Sequence, residues 1–213
     1  MDTYIRNELI NIAKEKIGLD DPSHDFNHAM RVLKNAELIA KQENADLEIL
    51  IPAAIFHDII IYPKNDERSK NAQNESADFA KEILNEFEDY PEKKIADVEY
   101  AIRTCSYSKN LQHKTIEAKI LQDADSLEAT GAISIMRTFA STGQMKRPFY
   151  CETDAFCDNR KPNSKKYGLD LFFNRLLIVK ERMYTKTAKE IAERRTKFLI
   201  SFLDELKIEL NET

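Results

Sequence analysis

The chain contains few residues that break helices and no long apolar run. Its 213 residues include only 4 glycines and 6 prolines, too few for a β-sandwich, which needs turn residues roughly every ten positions. No uninterrupted apolar stretch approaches the roughly 20 residues of a membrane-spanning helix. Residues 1–8 lack the basic-then-apolar layout of a signal peptide. These absences predict an all-α, cytoplasmic protein with no membrane partner.

The chain also has few cysteines and only a small net charge. Three cysteines are odd in number and too few for a disulfide framework. The formal net charge is -5, and no run of five like charges occurs, so electrostatics gives no reason to expect an extended nucleic acid as a partner. A small anionic substrate stays compatible with this balance, because a local pocket can be basic within an acidic protein.

Apolar and charged residues alternate with helical periodicity along most of the chain. They make up 42% and 32% of the residues, and residues 27–43 show the clearest apolar stripe at three- and four-residue spacing. Helices are predicted over about 3–17, 27–43, 46–56, 74–88, 92–105, 114–122, 125–141, 169–182 and 184–209. With no repeat and no composition break, residues 1–213 are expected to form a single domain.

Two polar segments, residues 61–73 and 142–168, interrupt this pattern. Connections of this length are uncommon in compact helical domains and are often lids or binding loops, although a decorative insertion is the alternative. The second segment contains four aromatic residues, which indicate that it packs onto the rest of the protein: Phe149, Tyr150, Phe156 and Tyr167.

Histidine is rare, and three of the four histidines lie in suggestive contexts. His24 and His28 fall at a predicted helix start, and His57 is followed directly by Asp58 after an apolar run. A His-Asp pair at the end of a hydrophobic helix is costly to bury unless something compensates the carboxylate. A divalent cation would do so, and imidazole with carboxylate is an ordinary ligand set for transition metals.

An acidic pair, Asp123 and Asp125, follows the apolar residues Ile120 and Leu121. At least one of the two carboxylates is therefore directed inward, although Asp123 alternatively caps a helix that begins nearby. We favour one aspartate as a ligand and the other as structural support. Taken singly, the His-Asp pair is better explained as a hydrogen-bonded core histidine and the acidic pair as a helix cap. The combination of the two favours a metal site.

Together these segments resemble the HD-domain metal-dependent phosphohydrolase superfamily, and most of all its YedJ-like branch. The family pattern of a histidine, a His-Asp doublet and a distant aspartate matches 28–32, 56–59 and 121–132, and the resemblance covers about residues 20–140, with the C-terminal helices at about 169–209 matched more loosely. It implies an HD-type helical bundle with long functional loops. It also implies one divalent metal ion (Mn, Mg, Co, Ni, Fe or Zn) held by His28, His57, Asp58 and Asp125.

The chain departs from this family pattern in two respects. Many relatives carry further histidines that hold a second metal, whereas residues 62–76 contain none and Cys105 occupies another such position; a one-metal site is therefore predicted. Other HD enzymes place an acidic residue shortly after the doublet to activate water. Here residues 59–62 are three isoleucines and a tyrosine, so the general base is not identified.

The predicted function is hydrolysis of a phosphate ester or anhydride, with a nucleotide or deoxynucleotide as the most natural substrate. The sequence leaves open whether the enzyme is a phosphatase or a pyrophosphohydrolase. Two alternatives are a catalytically silent HD module that binds a nucleotide or a partner protein, and a helical interaction domain with structural histidines.

The predicted site needs cations besides the metal. Two carboxylates make a bound dication nominally neutral, so substrate phosphates require basic side chains, each of which is alternatively a solvated surface charge. The predicted substrate-binding residues are Arg31, Lys64, Arg68 and Lys109, and the predicted catalytic residues are Asp58, Arg31 and Lys64.

Overall fold

The computed structural model describes residues 1–17, 25–62, 66–106 and 113–211, which contain nine α-helices and no β-strand. The predicted all-α class is thereby confirmed. None of these helices is both long enough and apolar enough to cross a membrane. In chain order, they are α1 (Thr3–Lys16), α2 (Phe26–Glu43), α3 (Leu47–Phe56), α4 (Ala72–Asn85), α5 (Glu92–Thr104), α6 (Ile116–Ser126), α7 (Gly131–Gln144), α8 (Asp170–Asn174) and α9 (Lys186–Asn211).

The chain folds into two compact units, Met1–Asp125 and Ser126–Thr213. Helices α1 to α5 and nearly all of α6 belong to the first unit, and α7 to α9 belong to the second. The single-domain organisation expected for residues 1–213 stays a prediction.

Helix α3 lies at the centre of the first unit, where it packs against α1, α2, α4 and α5. Asp46 caps its N-terminus by accepting a hydrogen bond from the backbone amide of Glu48 at 2.8 Å. Every residue from Ile49 to Phe56 is buried, because neighbouring helices surround α3. The residue that follows this helix, His57, is consequently only 1% exposed.

The second unit is built around an apolar cluster to which α8, α9 and the segment before α9 contribute. Its buried members include Leu169, Phe172, Leu176, Val179 and Leu199. Three of the four aromatic residues of segment 142–168 pack here as predicted: Tyr150 and Phe156 contact the cluster, and the ring of Phe149 lies 5.4 Å from that of Phe139, which also contacts it. Tyr167 lies beneath the guanidinium of Arg160 at 5.0 Å. A lid function for this segment stays a prediction.

The prediction of one helix over 125–141 is wrong. Helix α6 continues to Ser126, a 3-10 turn covers Leu127–Ala129, and α7 begins at Gly131. Asp123 is therefore inside α6 and 1% exposed, so it does not cap a helix that begins there. Apolar spacing continues across the break, which is why the sequence pattern did not reveal it.

The prediction of one helix over 169–182 is also wrong. Helix α8 ends at Asn174, and Leu176–Arg182 forms a 3-10 helix. The backbone of Arg175, at φ -142° and ψ -61°, separates the two. Apolar residues spaced three and four apart, such as Phe172, Leu176 and Val179, are compatible with either geometry. Periodicity alone therefore could not distinguish them.

Gly131 is expected to resist substitution by alanine. Its φ of +66° is a left-handed conformation, and an added Cβ would lie 3.2 Å from the Cβ and Cγ of Arg195. We expect Gly131→Ala to lower the free energy of unfolding by about 2 kcal/mol, since the left-handed conformation alone costs an L-residue roughly 1–2 kcal/mol. Urea denaturation measures the change.

The matched control is Gly143→Ala in the same helix. An added Cβ at Gly143 meets no atom of the described residues within 4 Å, so the better helix propensity of alanine is expected to raise stability by about 0.5–1 kcal/mol. Equal shifts in the two variants would show that the backbone conformation at Gly131 does not matter.

Candidate metal centre

Three helices of the first unit bring the predicted ligands to one place. His28 lies in the first turn of α2, where the capping carboxylate of Asp25 accepts a hydrogen bond from its backbone amide at 2.7 Å. His57 is the C-terminal cap of α3, and Asp58 follows it directly. Asp125 lies in the last turn of α6. Each predicted ligand thus lies at or beside a helix end.

The carboxylates of Asp58 and Asp125 each lie near the imidazoles at distances that suit ligands of one cation. The Nε2 of His28 lies 3.6 Å from Oδ1 of Asp125 and 3.8 Å from Oδ2 of Asp58. The Nε2 of His57 lies 3.6 Å from the same Asp58 oxygen. Donors that each lie about 2.1 Å from one metal are about 3–4 Å apart. These separations therefore match ligands around a metal better than direct hydrogen bonds.

His28, His57 and Asp125 form a compact group of possible metal ligands, to which Asp58 does not belong. One ligand atom from each lies within 4.8 Å of the others, and the two imidazole rings meet edge to face with centroids 5.3 Å apart. Both histidines are 1% exposed, whereas the Asp125 side chain is 39% exposed. The cluster is therefore buried on the histidine side and open on the carboxylate side.

The environment of His57 fits a metal ligand. Its Nδ1 donates a hydrogen bond to the backbone carbonyl of Ala54 at 2.9 Å. Since a carbonyl only accepts, the proton of the neutral ring lies on Nδ1, and Nε2 carries the lone pair that a metal ligand needs. Among the described residues this buried Nε2 has no hydrogen-bond partner. A buried acceptor without a partner costs about 1–3 kcal/mol, and a cation at the cluster would relieve that cost while the Ala54 contact orients the ring.

The two aspartates of the acidic pair differ in surroundings. Asp123 is 1% exposed, and Asp125, two residues further along α6, points about 200° away around the helix axis. Only Asp125 belongs to the group with both histidines. This arrangement supports Asp125 as the ligand and Asp123 as the buried structural residue, which stays a prediction.

Arg68 is already engaged by its neighbours. Its guanidinium donates to both carboxylate oxygens of Asp66 and lies 4.6 Å above the ring of Tyr62. This contact holds the pKa of the Asp66 carboxyl below its ordinary value. The hydroxyl of Tyr62 donates to Glu75 at 2.5 Å, which raises the pKa of Tyr62. The predicted phosphate-binding role of Arg68 would require it to leave or share Asp66.

The other predicted cations differ in what the structure describes of them. Arg31 is half-buried and follows His28 by three residues on α2, so the two side chains leave the same side of the helix. Lys64, Lys109 and the alternative histidine His24 lie outside the described residues.

Cys105, which occupies a position where the predicted family pattern often has a histidine, is buried. It follows α5 and is 4% exposed. Burial of this kind is typical of cysteines that behave as small apolar residues. It agrees with the absence of a second cluster of metal-binding side chains among the described residues.

Two buried polar side chains beside the ligands were missed in the sequence. Ser76, fully buried on α4, accepts a hydrogen bond from the backbone amide of Ile60 at 3.1 Å and holds the chain that leaves the His-Asp doublet. Asn35 donates to the carbonyl of Ala124, the residue before Asp125, at 3.3 Å. A signal for Asn35 existed, since it interrupts the apolar stripe of α2; nothing in the sequence distinguished Ser76.

Comparison with known proteins identifies a matching family model and a related protein of similar length. The HD domain family model matches residues 25–130. The YpgQ protein of Bacillus subtilis is 30% identical to this chain over an alignment that covers 94% of this chain and 91% of YpgQ.

Solved structures resemble the chain over nearly its whole length. The crystal structure of Bacillus subtilis YpgQ in complex with ADP matches with a TM-score of 0.74 and 26% identity, covering 97% of this chain and 98% of that one. A structure described as an HD-superfamily hydrolase from Bacillus thuringiensis matches with a TM-score of 0.73 and 28% identity, covering 98% and 97%. No comparison distinguishes the YedJ-like branch, which stays a prediction.

Proposed function

Because the chain belongs to the HD domain family, we propose that it is a divalent-metal-dependent phosphohydrolase. The observation that carries this proposal is the cluster of His28, His57 and Asp125, with Asp58 beside both imidazoles. The similar HD-superfamily hydrolase from Bacillus thuringiensis supports the reaction class.

The chain's own residues would hold one metal ion through two imidazoles and two carboxylates. When bound, a divalent ion supplies Lewis acidity, lowering the pKa of water and neutralising charge on a phosphoryl group. The mixed nitrogen and oxygen donors suit Mn, Fe, Co, Ni or Zn, whereas Mg prefers oxygen alone. The hydrogen bond from His57 Nδ1 to Ala54 keeps the ring proton away from the cluster.

The proposed metal site needs basic side chains around it to bind the phosphates of a substrate. Asp58 and Asp125 balance the charge of a dication, so the substrate anion depends on cations around the cluster. Arg31 is the described candidate that shares a helix with a ligand, and Arg68 is a second once its contact with Asp66 is exchanged for phosphate. Lys64 and Lys109 complete the proposed set from outside the described residues.

A nucleotide is the substrate class that we favour. Bacillus subtilis YpgQ, a relative that matches almost the whole chain, has been crystallised with ADP. Hydrolysis at the outer phosphate would make this chain a phosphatase, and hydrolysis nearer the nucleoside would make it a pyrophosphohydrolase. Both reactions need the same metal cluster and differ in which phosphate lies beside it.

The test is a panel of nucleoside and deoxynucleoside di- and triphosphates and simple phosphate esters, each with added Mn²⁺, Co²⁺, Ni²⁺ or Mg²⁺. We expect turnover of at least one nucleotide that depends on metal and stops after chelation. Separate measurement of orthophosphate and pyrophosphate identifies the bond that is cleaved. Tight nucleotide binding without hydrolysis under every condition would contradict the proposal and favour the silent binding module.

A further inference from the structure

Asn35 connects two of the helices that carry the proposed ligands. Its side-chain amide donates to the backbone carbonyl of Ala124 at 3.3 Å, across 89 positions of sequence. Ala124 directly precedes Asp125, and Asn35 belongs to α2, the helix of His28. The hydrogen bond therefore joins the backbone beside one ligand to the helix of another.

Asn35 lies on the ligand-bearing face of α2. It lies seven positions after His28, which brings the two side chains to nearly the same face two turns apart. Both are buried, at 7% and 1% exposure, within a stripe that is otherwise mostly apolar. A polar side chain in such a stripe requires a partner to offset its burial, and the carbonyl of Ala124 provides one.

The acceptor also requires a donor. Ala124 lies in the last turn of α6, and the last four carbonyls of a helix lack the usual partner within the helix. Ala124 is fully buried, so water is a poor substitute. The amide of Asn35 thus satisfies a helix end whose next residue is a proposed ligand.

We propose that Asn35 is a positioning residue of the metal site. Its hydrogen bond holds the end of α6 so that the Asp125 carboxylate remains beside the imidazole of His28, where Oδ1 and Nε2 lie 3.6 Å apart. This inference rests on the proposed metal site. Residues that orient ligands in this way typically contribute 10–100-fold to metal affinity.

The test uses Asn35→Leu, which keeps the approximate shape of the side chain and removes the donor. Mn²⁺ affinity of the full chain is measured by titration calorimetry, and the coordination geometry by the visible absorption of the Co²⁺ form. We expect at least a tenfold loss of Mn²⁺ affinity and an altered Co²⁺ spectrum. Asn35→Ser, polar but too short to reach Ala124, is expected to behave in the same way and decides the matter if the leucine variant does not fold.

The matched control is Thr196→Val, which removes another buried side-chain hydrogen bond, from Oγ1 of Thr196 to the carbonyl of Ala192 in α9. It is expected to lower thermal stability and leave Mn²⁺ affinity unchanged. Folded Asn35 variants with wild-type affinity and an unaltered Co²⁺ spectrum would overturn the positioning role alone. A wild-type chain that binds none of the metals would overturn the metal site itself and this inference with it.

Discussion

Replacing His57 by alanine is expected to lower metal affinity by more than about 100-fold and to remove metal-dependent hydrolysis. Residues that only orient a ligand contribute 10–100-fold, so loss of a direct ligand costs more. The remaining His28 and carboxylates cannot replace a nitrogen donor held in place by Ala54. Mn²⁺ titration and the nucleotide assay measure the two effects.

Thermal unfolding separates this role from a purely structural one. A ligand that binds only the folded state stabilises it by about 2.7 kcal/mol at 100 times its dissociation constant. Saturating Mn²⁺ is therefore expected to raise the unfolding temperature of the wild type but not of His57→Ala. Removing His57 also removes its buried Nε2, which accepts no hydrogen bond from the described residues. The metal-free variant should therefore lose less stability than a typical core truncation.

The control is another buried histidine. His113 is 5% exposed and hydrogen-bonded to Gln122 at 2.7 Å, and it does not belong to the ligand group. We expect His113→Ala to lower stability while keeping the stabilisation by Mn²⁺. If His57→Ala also kept that stabilisation with unchanged affinity, the metal site would be assigned wrongly.

Replacing Asp170 by asparagine is expected to destabilise the second unit by about 3 kcal/mol. Asp170 is fully buried and accepts hydrogen bonds from both terminal nitrogens of Arg160, at 2.5 and 2.7 Å, and from the Asn163 amide at 2.6 Å. Removing one partner of such a buried pair typically costs 3–5 kcal/mol; the 22% exposure of Arg160 favours the low end. Denaturant unfolding at pH 7 measures the loss.

The same carboxylate predicts a pH dependence. Burial raises the pKa of Asp170, but the hydrogen bonds from Arg160 and Asn163 outweigh burial and hold the pKa below its ordinary value. A lowered pKa contributes stability that is complete above the unfolded value of about 3.9 and is lost as pH falls through the folded value. The stability difference between wild type and Asp170→Asn should therefore be largest above about pH 5 and shrink below about pH 4.

The control is the same substitution at Asp204, an exposed residue of α9 that lies outside the hydrogen-bond network of Asp170. Asp204→Asn is expected to change stability by less than about 0.5 kcal/mol. A loss equal to that of Asp170→Asn would mean that the buried network contributes nothing specific.

Helix α2 was predictable because its burial is one-sided and periodic, and α3 because its short apolar run follows a capping aspartate, Asp46. The stripe over 27–43 and the apolar run before His57 gave α2 and α3 nearly to the residue. Gly131 and Arg175 mark the places where this approach failed. Both breaks are set by backbone conformation, and the apolar spacing on either side of them is compatible with a continuous helix.

By itself, the sequence determined the all-α class, because the scarcity of helix-breaking residues and the periodic apolar spacing carry it; the four predicted ligands came from the family pattern and stay a prediction. Only the tertiary structure decided that Asp125, and not Asp123, lies beside the two histidines, since helix α6 continues through the pair and turns them to opposite sides. It also decided that Asn35 reaches the carbonyl of Ala124, 89 positions further along the chain. These are contacts of folded geometry, and no local pattern of residues encodes them.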